Sequence, residues 1–264
     1  MREPSYSFID THAHIYETDF SEDVDEVVRR AKEAGASKLF LPPTDMASSA
    51  KAVEMAEKYQ KFCYPMIGLH PEDVRDGYGQ EIRVMEEMLG KPNPFIAIGE
   101  VGLDFYWDKS KADLQIAAFE RQIDLAVQYR MPLMIHARNA HTVLVELMQR
   151  YKDKHLTGVF HCFTGTVDEA KDLLQFDGFM LGIGGVVTFK KSILPETLKT
   201  VPLNRLVVET DSPYMAPVPM RGKRNEPAYI PYIIDKLAEI YGRTPLEVAM
   251  ITTENALMTF PKAV

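Results

Sequence analysis

Two histidines two residues apart, His12 and His14, close a short apolar stretch that runs Phe8-Ile9-Asp10-Thr11-His12-Ala13-His14. In an extended strand, residues i and i+2 point to one side, about 7 Å apart at a rise of about 3.3 Å per residue. Two imidazoles placed this way can grip one metal ion. Four more donors occupy the same kind of position. His136 ends the apolar run Leu133–His136, His161 ends Gly158–His161, Glu100 follows Ile98-Gly99, and Asp211 follows Val207-Val208-Glu209-Thr210. A lone histidine at a strand end is usually a hydrogen-bonded structural residue. That account does not extend to six donors sharing one topological position.

Six ligands exceed what one tetrahedral zinc accepts. They suit two ions about 3.5–4 Å apart, bridged by a carboxylate and a water or hydroxide. Glu100 is the natural bridge, because each of its oxygens can face one ion. His12 and His14 fall to the first ion, His136 and His161 to the second. Asp211 binds the first ion, or orients the attacking water and takes up its proton. A bridging hydroxide exists near neutral pH because bound metal lowers the pKa of water. The reaction class is metal-assisted hydrolysis by two divalent ions, with Mg, Mn or Zn as candidates. Imidazole favours the transition metals, while phosphodiester chemistry often runs on Mg or Mn.

Weaker candidates surround this set. His70, in Gly68-Leu69-His70-Pro71, ends another strand-like run and can reach a substrate, or merely cap the strand. Arg138 lies two residues beyond His136, and the loop Arg221-Gly222-Lys223-Arg224 follows the last strand-like run. These cations can neutralise phosphates, although a solvated basic loop is the ordinary explanation of such a run. Gly182-Ile183-Gly184-Gly185 stands where barrels commonly hold phosphate on backbone N–H groups, but it is no dinucleotide fingerprint. Cys162 should point away from His161, into packing. His141 and His155 receive no role. The sequence has no GxSxG elbow, Walker loop or redox CxxC.

Strand-like runs alternate with amphipathic segments along nearly the whole chain. The strands are expected at 8–14, 38–41, 64–69, 95–99, 133–136, 158–161, 179–183 and 206–210. Val24, Val27, Val28 and Ala31 share a helical face, as do Ile116, Phe119, Ile123 and Ala126, and Ile230, Ile233, Ile234, Leu237 and Ile240. Thr166-Val167-Asp168-Glu169 and Thr244-Pro245-Leu246-Glu247 read as capping boxes that start helices. Eight strands each followed by a helix close into a (β/α)8 TIM barrel, with an open doubly wound sheet as the competing architecture. All C-terminal strand ends of a barrel open on one face, which gathers the six donors. With no linker in sight, residues 1–264 are expected to form one domain, as a monomer.

The net charge is −8, so binding of nucleic acid would rest on a local basic patch and on metal rather than on the overall field. No apolar run follows Met1-Arg2-Glu3-Pro4 and none is long enough to span a membrane, so a cytoplasmic protein is expected. Cys63 and Cys162 sit in apolar runs and are expected as buried thiols.

At these residues the chain resembles the TatD family of metal-dependent deoxyribonucleases, within the amidohydrolase-like barrels. The likeness runs through Asp10-Thr11-His12-Ala13-His14, Gly68-Leu69-His70-Pro71, and Gly99-Glu100-Val101-Gly102-Leu103-Asp104-Phe105-Tyr106-Trp107. It continues through Ile135-His136-Ala137-Arg138, His161-Cys162-Phe163-Thr164-Gly165, Gly184-Gly185-Val186, Glu209-Thr210-Asp211-Ser212-Pro213-Tyr214, Arg221-Gly222-Lys223-Arg224-Asn225 and Thr253-Glu254-Asn255-Ala256. The resemblance implies a TIM-type barrel and, by motif position, the same ligands: His12, His14, Glu100, His136, His161 and Asp211. It also implies phosphodiester hydrolysis, as a 3'-5' exonuclease on single-stranded DNA. Ala137 and Asn139 replace the Ser and Asp of many members, Thr164 and Thr166 replace Ser, and Glu72 stands where a second His is frequent.

Three functions follow in order. The first is a two-metal nuclease in which Glu100 and Asp211 are catalytic, and His70, Arg138, Arg221, Lys223 and Arg224 hold substrate. Tyr106 or Trp107 stacks a base. The second keeps the hydrolase but changes the substrate to a small ester, lactone or amide. The third is a non-enzymatic metal-binding scaffold.

Overall fold

The structure, a computed structural model, describes residues 6–106 and 108–264. Trp107 and the first residues of the chain, for which a stacking role and the lack of a leader were expected, lie outside the described residues. Eight strands occur among the described residues: β1 Phe8–Asp10, β2 Ala36–Leu41, β3 Cys63–Pro65, β4 Ile98–Asp104, β5 Leu133–Arg138, β6 Gly158–Phe160, β7 Phe179–Ile183 and β8 Leu206–Val208. The helices are α1 Val24–Glu33, α2 Met46–Lys58, α3 Gly79–Leu89, α4 Ala112–Tyr129, α5 His141–Gln149, α6 Val167–Leu174, α7 Leu194–Leu198, α8 Ile230–Tyr241 and α9 Pro245–Thr259.

Every strand pair is parallel, in the orders β1-β2-β3 and β4-β5-β6-β7-β8. Backbone hydrogen bonds join these two sheets at both edges. The Ile67 N–H donates to Ala97 O at 3.2 Å and the Gly99 N–H to Ile67 O at 2.9 Å. At the other seam, the Thr11 N–H donates to Val208 O at 3.2 Å and the Asp211 N–H to His12 O at 2.9 Å. The strands therefore run in sequence order around a ring, as in a (β/α)8 barrel. An open sheet would leave two edges unpaired.

One apolar layer fills the ring: Ile9, Phe40, Met66, Ile96, Met134, Val159 and Val207, nearly one side chain per strand, packed with Phe260 and Ala263 from the end of the chain. Strand alternation then dictates what stands above it. Met134 and His136 share a side, as do Val159 and His161, and Val207, Glu209 and Asp211. Outside the ring, the apolar faces of the helices cover the strands. Val27, Val28 and Ala31 of α1, Phe119 and Ile123 of α4, and Ile233, Ile234 and Leu237 of α8 are all buried.

Both capping boxes form. In each, the threonine hydroxyl accepts the N–H of the glutamate three residues on, and that glutamate accepts the threonine N–H: Thr166 with Glu169, and Thr244 with Glu247. The strand limits differ from the sequence reading. β1 stops at Asp10, β3 at Pro65, β6 at Phe160 and β8 at Val208, so His12, His14, His161 and Asp211 sit on the extensions where strands hand over to loops, whereas His136 lies within β5. β4 differs most: it begins three residues later than expected and continues through Glu100 to Asp104. Its two glycines, Gly99 and Gly102, fit a strand that is buried along its whole length and close to its neighbours. A Cβ on Gly102 would stand 2.0 Å from His136 O. No helix among the described residues is long and apolar enough to cross a membrane.

Candidate metal centre

Glu100, 3 % exposed, is the hub. Its Oε2 lies 3.2 Å from His12 Nε2 and 3.7 Å from His14 Nε2. Its Oε1 lies 2.8 Å from His161 Nε2, 3.0 Å from His136 Nδ1 and 3.3 Å from His70 Nε2. Asp211 Oδ1 closes the first half, 3.4 Å from His14 Nε2 and 3.7 Å from His12 Nε2. All six expected ligands thus meet at one place, and the carboxylate divides them. His70 joins the second half beside Glu100 and His136, nearer the donors than a residue that only meets substrate.

The surrounding hydrogen bonds fix where the imidazole protons are. The Tyr16 hydroxyl donates its one proton to Pro42 O at 2.7 Å. It must therefore accept from His14 Nδ1, 2.7 Å away, which leaves the Nε2 lone pair facing inward. His136 Nε2 lies 2.9 Å from Asp104 Oδ2, which can only accept, so Nδ1 offers its lone pair to the centre. In these tautomers His14 Nε2 and His136 Nδ1 turn lone pairs toward the ring nitrogens of their neighbours: His14 Nε2 is 3.0 Å from His12 Nε2, and His136 Nδ1 is 3.2 Å from His161 Nε2. Lone pairs at such distances repel unless a cation or proton lies between them. The donor set, nitrogen and carboxylate around two foci, fits divalent metal.

Charge and burial shape the same group. Burial opposes the Glu100 carboxylate, but His161, His70 and His12 hold its pKa well below the usual carboxylate range. Burial opposes ionised Asp211 too, and the contact with His14 lowers its pKa. For His161, burial works against the imidazolium, yet Glu100 and Glu209 raise its pKa well above normal. His12 moves the other way, lowered by burial and by His161, whose ring stacks on it at 4.0 Å between centroids.

Three supporting carboxylates escaped the sequence reading. Asp104 holds His136. Glu209, fully buried, accepts the Cys162 N–H at 2.5 Å and lies 3.6 Å from His161 Nδ1. Asp10 accepts from the backbone N–H groups of His12 at 3.2 Å and Thr210 at 3.0 Å, and from the Thr210 hydroxyl at 2.6 Å; its burial pushes the pKa up to about 7. Asp10 and Glu209 lie in runs expected to be apolar strands, and a carboxylate in such a place was itself the signal; Asp104 lies beyond the limit expected for its strand. Gly182 belongs to this support and not to a phosphate cradle, since a Cβ there would stand 2.1 Å from Glu209 Oε2. Gly182→Ala is accordingly expected to cost about 1–3 kcal/mol by overpacking, read as a lowered Tm with metal removed.

The expected substrate contacts are scattered. Arg138 lies over the Tyr106 ring at 3.7 Å, and Tyr106 is 50 % exposed. Both line an open cleft of about 610 Å³ that reaches His161 between the loops after β5 and β6. Cys162, expected in packing, also lines this cleft, because its φ of 50° turns the chain out of the strand alternation beyond β6. Arg221 is exposed and stacks on Phe189 at 4.3 Å, and Lys223 is exposed. Arg224, expected beside them, is instead clamped by Asp23, with its two terminal nitrogens 2.8 and 2.7 Å from the carboxylate oxygens. His141 pairs with Asp172 at 3.1 Å, on the helix where it was expected to be idle.

Comparison with known proteins agrees with this architecture. Residues 9–261 match the sequence profile of the family described as TatD related DNase. The chain is 39 % identical over 252 residues to the uncharacterized metal-dependent hydrolase YabD of Bacillus subtilis, covering 95 % of this chain and 98 % of that protein. It is 35 % identical over 257 residues to the 3'-5' ssDNA/RNA exonuclease TatD of Citrobacter rodentium, covering 95 % and 97 %. Among solved structures, the TatD homolog YJJV of Escherichia coli superposes with a TM-score of 0.88 at 30 % identity, covering 96 % of this chain and 98 % of that one. With the barrel, the converging donors and a match across nearly its full length, the chain belongs to the TatD-related DNase family of metal-dependent hydrolases.

Proposed function

We propose that this hydrolase is a two-metal phosphodiesterase that trims single-stranded nucleic acid from its 3' end. The observation that carries the two-ion reading is the division at Glu100, one oxygen among His12 and His14, the other among His136, His161 and His70. The nuclease names of full-length relatives support the substrate class. His12, His14 and Asp211 would hold one ion, His136 and His161 the other, with Glu100 shared and His70 beside the second. Zn or Mn suits so many imidazoles better than Mg.

The ions, when bound, supply Lewis acidity and an activated water. The chain's own residues do the rest. Asp211, at the edge of the first half, is the carboxylate placed to accept a proton from the attacking water. The cleft beside His161 admits a strand, with Tyr106 as an exposed ring for a base and Arg138 for a phosphate. Arg221 and Lys223, on the loop after β8, meet phosphates on the other side. Replacing both by Ala is expected to raise KM for a single strand several-fold and to flatten its salt dependence by about 0.7 per lost phosphate contact in a log–log plot. Steady-state kinetics from low to high salt checks this.

The test of the function is a screen of protein reconstituted with Zn, Mn or Mg. Single-stranded DNA, duplex DNA and RNA, labelled at either end, are compared with small esters, lactones and amides. Stepwise loss of nucleotides from the 3' end supports the proposal. Rapid ester hydrolysis with intact oligonucleotides sinks it in favour of the small-molecule reading.

A further inference from the structure

We infer that Asp104 is a positioning residue, which makes His136 present Nδ1 to the second ion and ties the substrate-side loop to that ligand. The inference rests on the two-ion reading above. His12, His14 and His161 turn Nε2 to the centre, whereas His136 turns Nδ1 there, 3.0 Å from Glu100 Oε1. A neutral imidazole carries one N–H, and the ring nitrogen that lacks it is the one that can ligate. Asp104 Oδ2, 2.9 Å from His136 Nε2, holds the proton on Nε2 and so frees Nδ1. A ligand histidine backed by a carboxylate is also the more basic donor.

Asp104 is itself immobilised. It is buried, and its backbone N–H donates to Gln115 Oε1 at 2.9 Å while its carbonyl accepts from Gln115 Nε2 at 3.0 Å. Gln115 projects from α4, so a helix outside the barrel fixes the backbone that carries the carboxylate. The remaining oxygen, Oδ1, accepts the Tyr106 N–H at 2.9 Å. One carboxylate therefore restrains both the metal-facing ring and the residue that stacks on Arg138 at the cleft mouth. Tyr16 does the corresponding work for His14 with a neutral hydroxyl.

Metal binding by competition and by elemental analysis is the test, on the full chain. The parent should bind two ions. Asp104→Asn should bind one ion with parental affinity and the other about 10–100-fold more weakly. Asp104→Ser should do the same: its hydroxyl can still accept the Tyr106 N–H in a local turn but cannot reach the imidazole. Adding Asp104→Asn to His136→Ala should bring no further loss, because Asp104 acts through that ring. Parental affinity for both ions in the folded Asn and Ser variants overturns the inference, and so does an additive loss in the double variant. A parent that binds only one ion overturns the two-ion reading. The inference then stands or falls on whether Asp104→Asn weakens that one ion.

Discussion

Glu100→Gln is expected to abolish hydrolysis, by at least about 10³-fold, and to leave the protein unable to hold two ions. The two oxygens of Glu100 face different groups of imidazole nitrogens, at 3.2 and 3.7 Å on one side and 2.8, 3.0 and 3.3 Å on the other. An amide has one oxygen and one NH2. Whichever way it turns, one half of the centre faces a group that donates protons and cannot ligate. The variant also lacks the negative charge that offsets two cations in a buried site. Metal analysis after gel filtration should find at most one ion per chain. Retention of two ions with a tenth or more of the parental rate would refute the bridging role. Loss of bound metal should also lower Tm, since an ion present at 100 times its Kd stabilises by about 2.7 kcal/mol.

Asp211→Asn is expected to lower kcat by about 10²–10⁴-fold, the range for a lost general acid or base, with KM changed only a few-fold. Asn keeps an oxygen near His12 and His14 but cannot take up a proton at neutral pH. The deficit should persist when metal is raised to saturation. Full rescue by excess metal would show that Asp211 serves only to hold the first ion. Glu100→Gln and Asp211→Asn are thus expected to differ in kind: the first loses at least one ion, and the second, at saturating metal, loses a proton acceptor.

The convergence of the six donors was legible in the sequence because each ends an apolar run, and a barrel opens all such ends on one face. The layer beneath was implied too: Met134 under His136 and Val159 under His161 follow from strand alternation. What could not be read were contacts between residues far apart in the chain. Arg221-Gly222-Lys223-Arg224 looks like one basic patch, yet Arg224 pairs with Asp23, 201 positions away, and leaves it. Asp104 was hidden because β4 runs through two glycines that normally weaken a strand, here accommodated by the backbones beside them. Tyr16 shows its role only once Pro42 is seen to take its proton.

The seam between β1 and β8 has a consequence for when the activity first appears. His12 and Asp211 both flank it, joined by the hydrogen bond from the Asp211 N–H to His12 O, with Asp10 bound to Thr210 just beneath. The proposed ligands of the first ion therefore come from segments about 200 positions apart in the chain. A chain still being made must extend past Asp211 before they can meet. During synthesis, a chain that stops just short of Asp211 carries all the histidines but lacks one member of the proposed donor set. Pairing of the β8 end with the β1 end is thus what completes the proposed donor set.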